Sequence, residues 1–170
     1  GSILAANNDP AGARKAFLAI CSNSPNLILG YLGLARLDLE LQKNRAEART
    51  MMAKALNTHA ANPVYFEQLG FMALEMNEFD LARQSFIRAR ESGSGRNTTI
   101  LGLANALIGL GRGAEAVKVL EEALRLSPDN LLAASLAKVK ENPRRMLTGQ
   151  GLPVPPAPPP QADPDADQGD

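Results

Sequence analysis

This chain of 170 residues has no tryptophan, one cysteine, one histidine, two tyrosines and five phenylalanines. A lone Cys21 excludes an internal disulfide framework. His59 has no companion at metal-ligand spacing, and Glu75, Glu78, Glu121 and Glu122 are scattered acids without a second ligand, so no metal is expected. The glycines at 93, 95, 109, 111 and 113 are not followed by the Lys-Ser/Thr of a phosphate loop. No base stands near Cys21, so neither a catalytic residue nor a cofactor site is assigned. No run approaches the roughly 20 apolar residues of a membrane span, so direct membrane insertion is not expected. Lys plus Arg is 18 and Asp plus Glu is 18, which leaves no electrostatic footprint for nucleic acid. Asp163, Asp165, Asp167 and Asp170 close the chain, so residues 1–162 keep 18 − 4 = 14 acids against 18 bases, a mild surplus.

What the chain does have is periodicity. Small residues fall at Ala35, Ala48 and Ala55, then Gly70, Ala82 and Ala89, then Ala104, Ala116 and Ala123, at a spacing of 34 or 35. Large apolar residues keep phase with them: Leu34 and Met52, Leu69 and Phe86, Leu103 and Leu120. A fixed period of this length means stacked units that bury their apolar faces only against neighbours. Within each unit two stretches show apolar residues three and four apart, the signature of amphipathic helices. Polar or glycine-rich breaks at Lys43-Asn44-Arg45, Asn77-Glu78 and Gly111-Arg112-Gly113 leave room only for antiparallel helical hairpins. Repeat one carries one extra residue at its break.

Three full repeats span 28–62, 63–96 and 97–130. Ahead of them, Ala13, Phe17, Ile20 and Pro25 share the second-helix phase of Ala116, Leu120, Ala123 and Pro128. Residues 3–27 therefore read as a partial repeat, with Ile3–Asn7 left of its first helix. Gly1-Ser2 resembles a vector-derived dipeptide; no signal peptide is visible after it, a native leader could have been cut away, and the N-terminus therefore does not give the localisation. After repeat three, 131–142 reads as a capping helix with a polar side (Ser135, Lys138, Lys140, Glu141), ended by Pro143. The rest, 144–170, is expected to be a disordered or polyproline tail; from Gly149 onward it holds seven prolines and four aspartates.

These repeats resemble the tetratricopeptide repeat over about residues 10 to 142. Repeat two carries the likeness best, with Phe66, Leu69-Gly70, Phe79, Ala82, Phe86 and Ala89. Repeat three keeps Leu103-Ala104, Gly111, Ala116, Leu120, Ala123-Leu124 and Pro128, and repeat one Tyr31, Leu34-Ala35, Ala48, Met52 and Ala55-Leu56. Ala60 and Ser94 stand where a closing proline is common, which predicts softer turns there. The resemblance implies an all-α, right-handed solenoid of helical hairpins whose first helices line a concave groove for a peptide or helix.

Carried over by phase, the groove positions are Leu29, Leu32, Arg36 and Leu39, then Val64, Glu67, Phe71 and Leu74, then Thr98, Leu101, Asn105 and Ile108. Eight of these twelve are apolar, which suits a partner with its own apolar face, such as an amphipathic helix. Arg36, Glu67 and Asn105 would set register. The family's basic clamp for a C-terminal carboxylate is not expected, because Glu67 has the wrong charge. The expected function is a non-enzymatic scaffold for a protein or peptide partner. Abundant Leu, Ala and Arg suggest a bacterial source, and a secretion or pilus-assembly accessory role. Two alternatives are self-assembly through an open terminal edge, and autoinhibition by Leu152-Pro153-Val154 returning to the groove.

Overall fold

The computed structural model of the protein describes residues 9–40 and 44–148. Ile3–Asn7 and the stretch from Gly149 onward, including Leu152–Val154, lie outside the described residues. Within them the chain is helical, with no strand: α1 Pro10–Asn23, α2 Ile28–Glu40, α3 Arg45–Leu56, α4 Pro63–Glu75, α5 Phe79–Glu91, α6 Asn97–Gly109, α7 Gly113–Leu126 and α8 Asn130–Glu141. First helices begin at Ile28, Pro63 and Asn97, and second helices at Arg45, Phe79 and Gly113. Each helix packs on its chain neighbours, and α2, α4, α6 and α8 also touch in succession. That is the contact pattern of a helical-repeat solenoid.

Local chemistry explains where the helices start and stop. Asp9, Asn44, Asn62 and Asp129 each accept a hydrogen bond from a first-turn backbone N–H, which satisfies a donor the helix itself leaves unpaired. Pro10 and Pro63 stand in the first turn, where a missing N–H costs nothing. At the far end, α4, α5 and α6 close in the same way. The N–H of Glu78, Ser94 and Arg112 donates to the carbonyl of Ala73, Ala89 and Leu107 respectively, at 2.8–2.9 Å. This closure needs a left-handed residue, supplied by Asn77 (φ 57°), Gly93 (φ 97°) and Gly111 (φ 74°).

Between helices the recurring small residues disappear into the stack. Ala35, Ala48, Ala55, Ala82, Ala89, Ala104 and Ala116 are all fully buried. Phe86 is the largest wedge in that core. It lies between Gly70 of α4 and Gly102 of α6, where an added Cβ would come within 2.7 Å and 2.6 Å of its ring carbons. Phe71 meets the same ring edge-on, with centroids 5.1 Å apart.

Polar ties then join the repeats. Arg45 of α3 donates to the Met76 carbonyl at the end of α4 (2.8 Å), and Arg88 of α5 to the Thr58 carbonyl after α3 (3.0 Å). Both guanidinium groups meet carbonyls at helix ends, where the backbone is short of donors. Arg88 also lies 5.0 Å from the Phe66 ring centroid, a cation–π contact. The turn at Ser94 is anchored where a softer one was expected: its hydroxyl donates to buried Glu67.

The packed body also runs past the expected start of the tail at residue 144. Met146 is half-buried and Leu147 buried against the core, so the first residues after Pro143 form a strap. Composition registers only a polar stretch there; burial of these two side chains is what holds it.

Candidate functional site

The first-helix face is where the twelve sequence-assigned positions meet the solvent or the core. In α2, Leu29 is exposed (42%), Arg36 and Leu39 are half-buried, and Leu32 is buried. In α4, Val64 and Phe71 are half-buried, while Glu67 and Leu74 are buried. In α6, Thr98 is half-buried, and Leu101, Asn105 and Ile108 are buried. Residual openness is therefore uneven. It concentrates on α2 and α4, while on α6 only Thr98 stays partly open.

Glu67 and Asn105 each make specific side-chain contacts. Glu67, 4% exposed, accepts from the Ser94 and Thr99 hydroxyls, the latter at 2.7 Å, and from Arg96 Nη1 at 3.1 Å. A carboxylate taken out of water needs such compensation. It links α4 to the next turn and to the start of α6, so its bonds serve the junction between repeats two and three. Sequence phase alone placed Glu67 among surface positions; Ser94 and Thr99 carried the signal for its burial, being hydroxyl residues at the point where the next repeat begins.

Asn105, 1% exposed, is engaged differently. Its Nδ2 donates to the Leu147 carbonyl at 2.8 Å, and its Oδ1 accepts from the Leu147 backbone N–H at 2.6 Å. One side-chain amide thus satisfies both backbone groups of one extended residue. Leu147 and Met146 were not among the sequence candidates. Their only signal is that they form an apolar pair in an otherwise polar stretch after Pro143.

The remaining chemistry-bearing residues stay apart. His59 is exposed in the turn after α3. Cys21 is half-buried, and that burial pushes its thiol above the ordinary value, partly offset by Lys54. Asp38 of α2 is fully buried and paired with Arg14 of α1, which ties the first two helices together. Among the described residues, no three His, Cys, Asp or Glu side chains form a group able to hold a metal ion. No helix there is long and apolar enough to cross a membrane.

Comparison with known proteins gives a consistent picture. Residues 98–140 match the family model described as tetratricopeptide repeat. The chain is 34% identical over 116 residues to cellulose synthase operon protein C of Komagataeibacter sucrofermentans, a stretch covering 67% of this chain and 9% of that protein. The same figures hold for cellulose synthase operon protein C of Komagataeibacter xylinus. Cellulose synthase 1 operon protein C of Komagataeibacter xylinus is 31% identical over 114 residues, covering 66% of this chain and 8% of that protein. The chain thus spans under a tenth of the length of these bacterial relatives. Their names refer to a cellulose synthase operon, and none to the secretion or pilus system that composition suggested.

Proposed function

We propose that the chain is a tetratricopeptide repeat protein that holds a peptide or amphipathic helix of a protein partner on the first-helix face. One observation carries this reading: Leu29, Leu39, Val64 and Phe71 keep apolar surface open along α2 and α4 beside buried Leu32 and Leu74. These residues sit at helical spacings that share a face. Arg36 and Thr98, also half-buried, border them with polar groups that would fix a ligand's register. A partner helix with apolar residues three and four apart suits such a stripe. By likeness to the cellulose synthase operon proteins, the proposed partners are other products of such an operon. No chemical step is assigned to the fold; binding is the activity proposed.

The test is capture of those operon products by the wild type and by a Leu29→Glu/Leu39→Glu/Val64→Glu variant of matched helicity. Charges at Leu32 or Leu101 would test folding instead, because both are buried. A partner lost by the folded variant supports the reading. One retained by it sinks the reading.

Self-association is a second reading, favoured by exposed Leu18 (46%) and Leu27 (42%) on α1 and the turn after it. A mass independent of concentration, by analytical ultracentrifugation, would remove it.

A further inference from the structure

We propose that the pocket at Asn105 is a reader of extended backbone, and that the strap around Leu147 is its resident, exchangeable ligand. The trans ligand is then an extended segment bearing a leucine. The inference rests on the reading of the first-helix face as a binding surface, and assigns that face's α6 end an occupant.

Burying Asn105 carries a cost. A buried primary amide must find partners for both its oxygen and its nitrogen, or lose the desolvation energy of each. No helical neighbour supplies them; Leu147 supplies both, through its backbone N–H and carbonyl. Reading both backbone groups of one residue requires an extended chain but says nothing of its side chain. Side-chain choice comes from the buried leucine, 4% exposed. Residues in the same phase, Arg36 of α2 and Phe71 of α4, could not make this paired contact, so the pocket is peculiar to α6.

The strap is attached lightly enough to exchange. Asn142 turns the chain back, accepting from the N–H groups of Arg144 (3.1 Å, side chain) and Arg145 (3.0 Å, backbone). Pro143 then passes over Gly113, where an added Cβ would lie 2.6 Å from the proline Cβ. Beyond that, Arg144, Arg145 and Thr148 are exposed, and only Met146 and Leu147 have packed side chains. A short tether holds its ligand at an effective concentration of order millimolar. A free segment displaces it only by adding contacts, and the apolar surface at Phe71 and Leu39 offers them.

The experiment titrates a fluorescein-labelled peptide of residues 144–150 (RRMLTGQ) into the full wild-type chain and into full-chain Leu147→Gly, by anisotropy. The expected result is binding to the folded Leu147→Gly chain at least ten-fold tighter than to wild type. A peptide N-methylated at its leucine, which lacks the donor to Asn105 Oδ1, is expected to bind neither. Equal affinity for both chains, no binding to the opened chain, or unchanged binding of the methylated peptide overturns the proposal. None of these outcomes touches capture of a partner through Leu29, Leu39 and Val64, so the two readings fail separately. On the unaltered protein, the Leu147 amide is expected to exchange with deuterium much faster than the Leu103 amide of α6. Equal protection would mean that the strap opens only when α6 unfolds, and would also overturn exchangeability.

Discussion

Gly102 and Phe86 make a contact that no larger residue at position 102 permits. The ring is fully buried, and a Cβ on Gly102 would approach its Cε1 to 2.6 Å. A Cβ on Gly70 would crowd the same ring carbons. Fully packed surroundings give the ring nowhere to move, since interiors are as dense as organic crystals.

Gly102→Ala is therefore expected to destabilise the fold by about 1–3 kcal/mol through overpacking. The helical gain of replacing glycine, up to about 1 kcal/mol, is too small to offset a clash at the upper end of that range. Phe86→Ala opens a cavity instead, at about 3–5 kcal/mol. In urea melts, Gly102→Ala combined with Phe86→Leu should cost less than the two single changes summed, because the smaller side chain relieves the clash. Strict additivity would mean that the two sites do not touch. Gly95→Ala, with open space around the added carbon, serves as the neutral control.

Asn77 and Gly111 stand 34 residues apart, and both turn the chain through left-handed backbone. Replacing Asn77 by Ala keeps that conformation at a cost of about 1 kcal/mol, whereas Asn77→Gly should be neutral or slightly stabilising. Thermal melts of the pair decide it. A melt unchanged in Asn77→Ala would show that the turn adopts another conformation.

Glu67→Ala is expected to cost about 1.5–3 kcal/mol, the range for hydrogen bonds to a charged group. Ser94→Ala should cost about 1 kcal/mol, since Thr99 and Arg96 still serve the carboxylate. Deleting the carboxylate of Glu115, which pairs with Arg112 on the surface, should leave chemical stability unchanged within error. If Glu67 and Glu115 prove equivalent in denaturant melts, the buried junction has no special role.

Asp80 governs a small acid-side effect. Hydrogen bonds from Arg83 and then Gln84 hold its carboxyl below the ordinary value of 3.8. A depressed folded-state value stabilises the fold above the unfolded value, and that gain is lost as pH falls through the folded one. Asp80→Asn should therefore be less stable than wild type near neutrality, by under about 1 kcal/mol because the pair is exposed. The gap should close below pH 4. Melting temperatures that differ by the same amount at pH 3 and pH 7 would exclude this linkage.

The period of 34 or 35, the hairpin breaks and the alanine positions were legible in the residues because every repeat solves the same packing problem locally. Amphipathic spacing and capping residues need no knowledge of distant partners. Gly33 and Gly102 escaped that logic because glycine does not recur there in every repeat. They occupy one phase, which repeat two fills with Gln68 and the capping helix with Leu136. Phe17 packs against Gly33 and Phe86 against Gly102, whereas the second-helix positions before Gln68 and Leu136 hold Met52 and Leu120. A flat ring demands a missing Cβ opposite it, and flexible side chains do not.

The twelve assigned positions show the same division. Phase put them on one face, but six of them are buried, because how closely adjacent first helices approach is set by the stack. Leu147 meets Asn105 across 42 residues of chain. The sequence by itself determined the repeat, its helices and the small residues that let them close. Tertiary structure decided which face stays open and what covers Asn105, because burial depends on neighbours that no local pattern encodes.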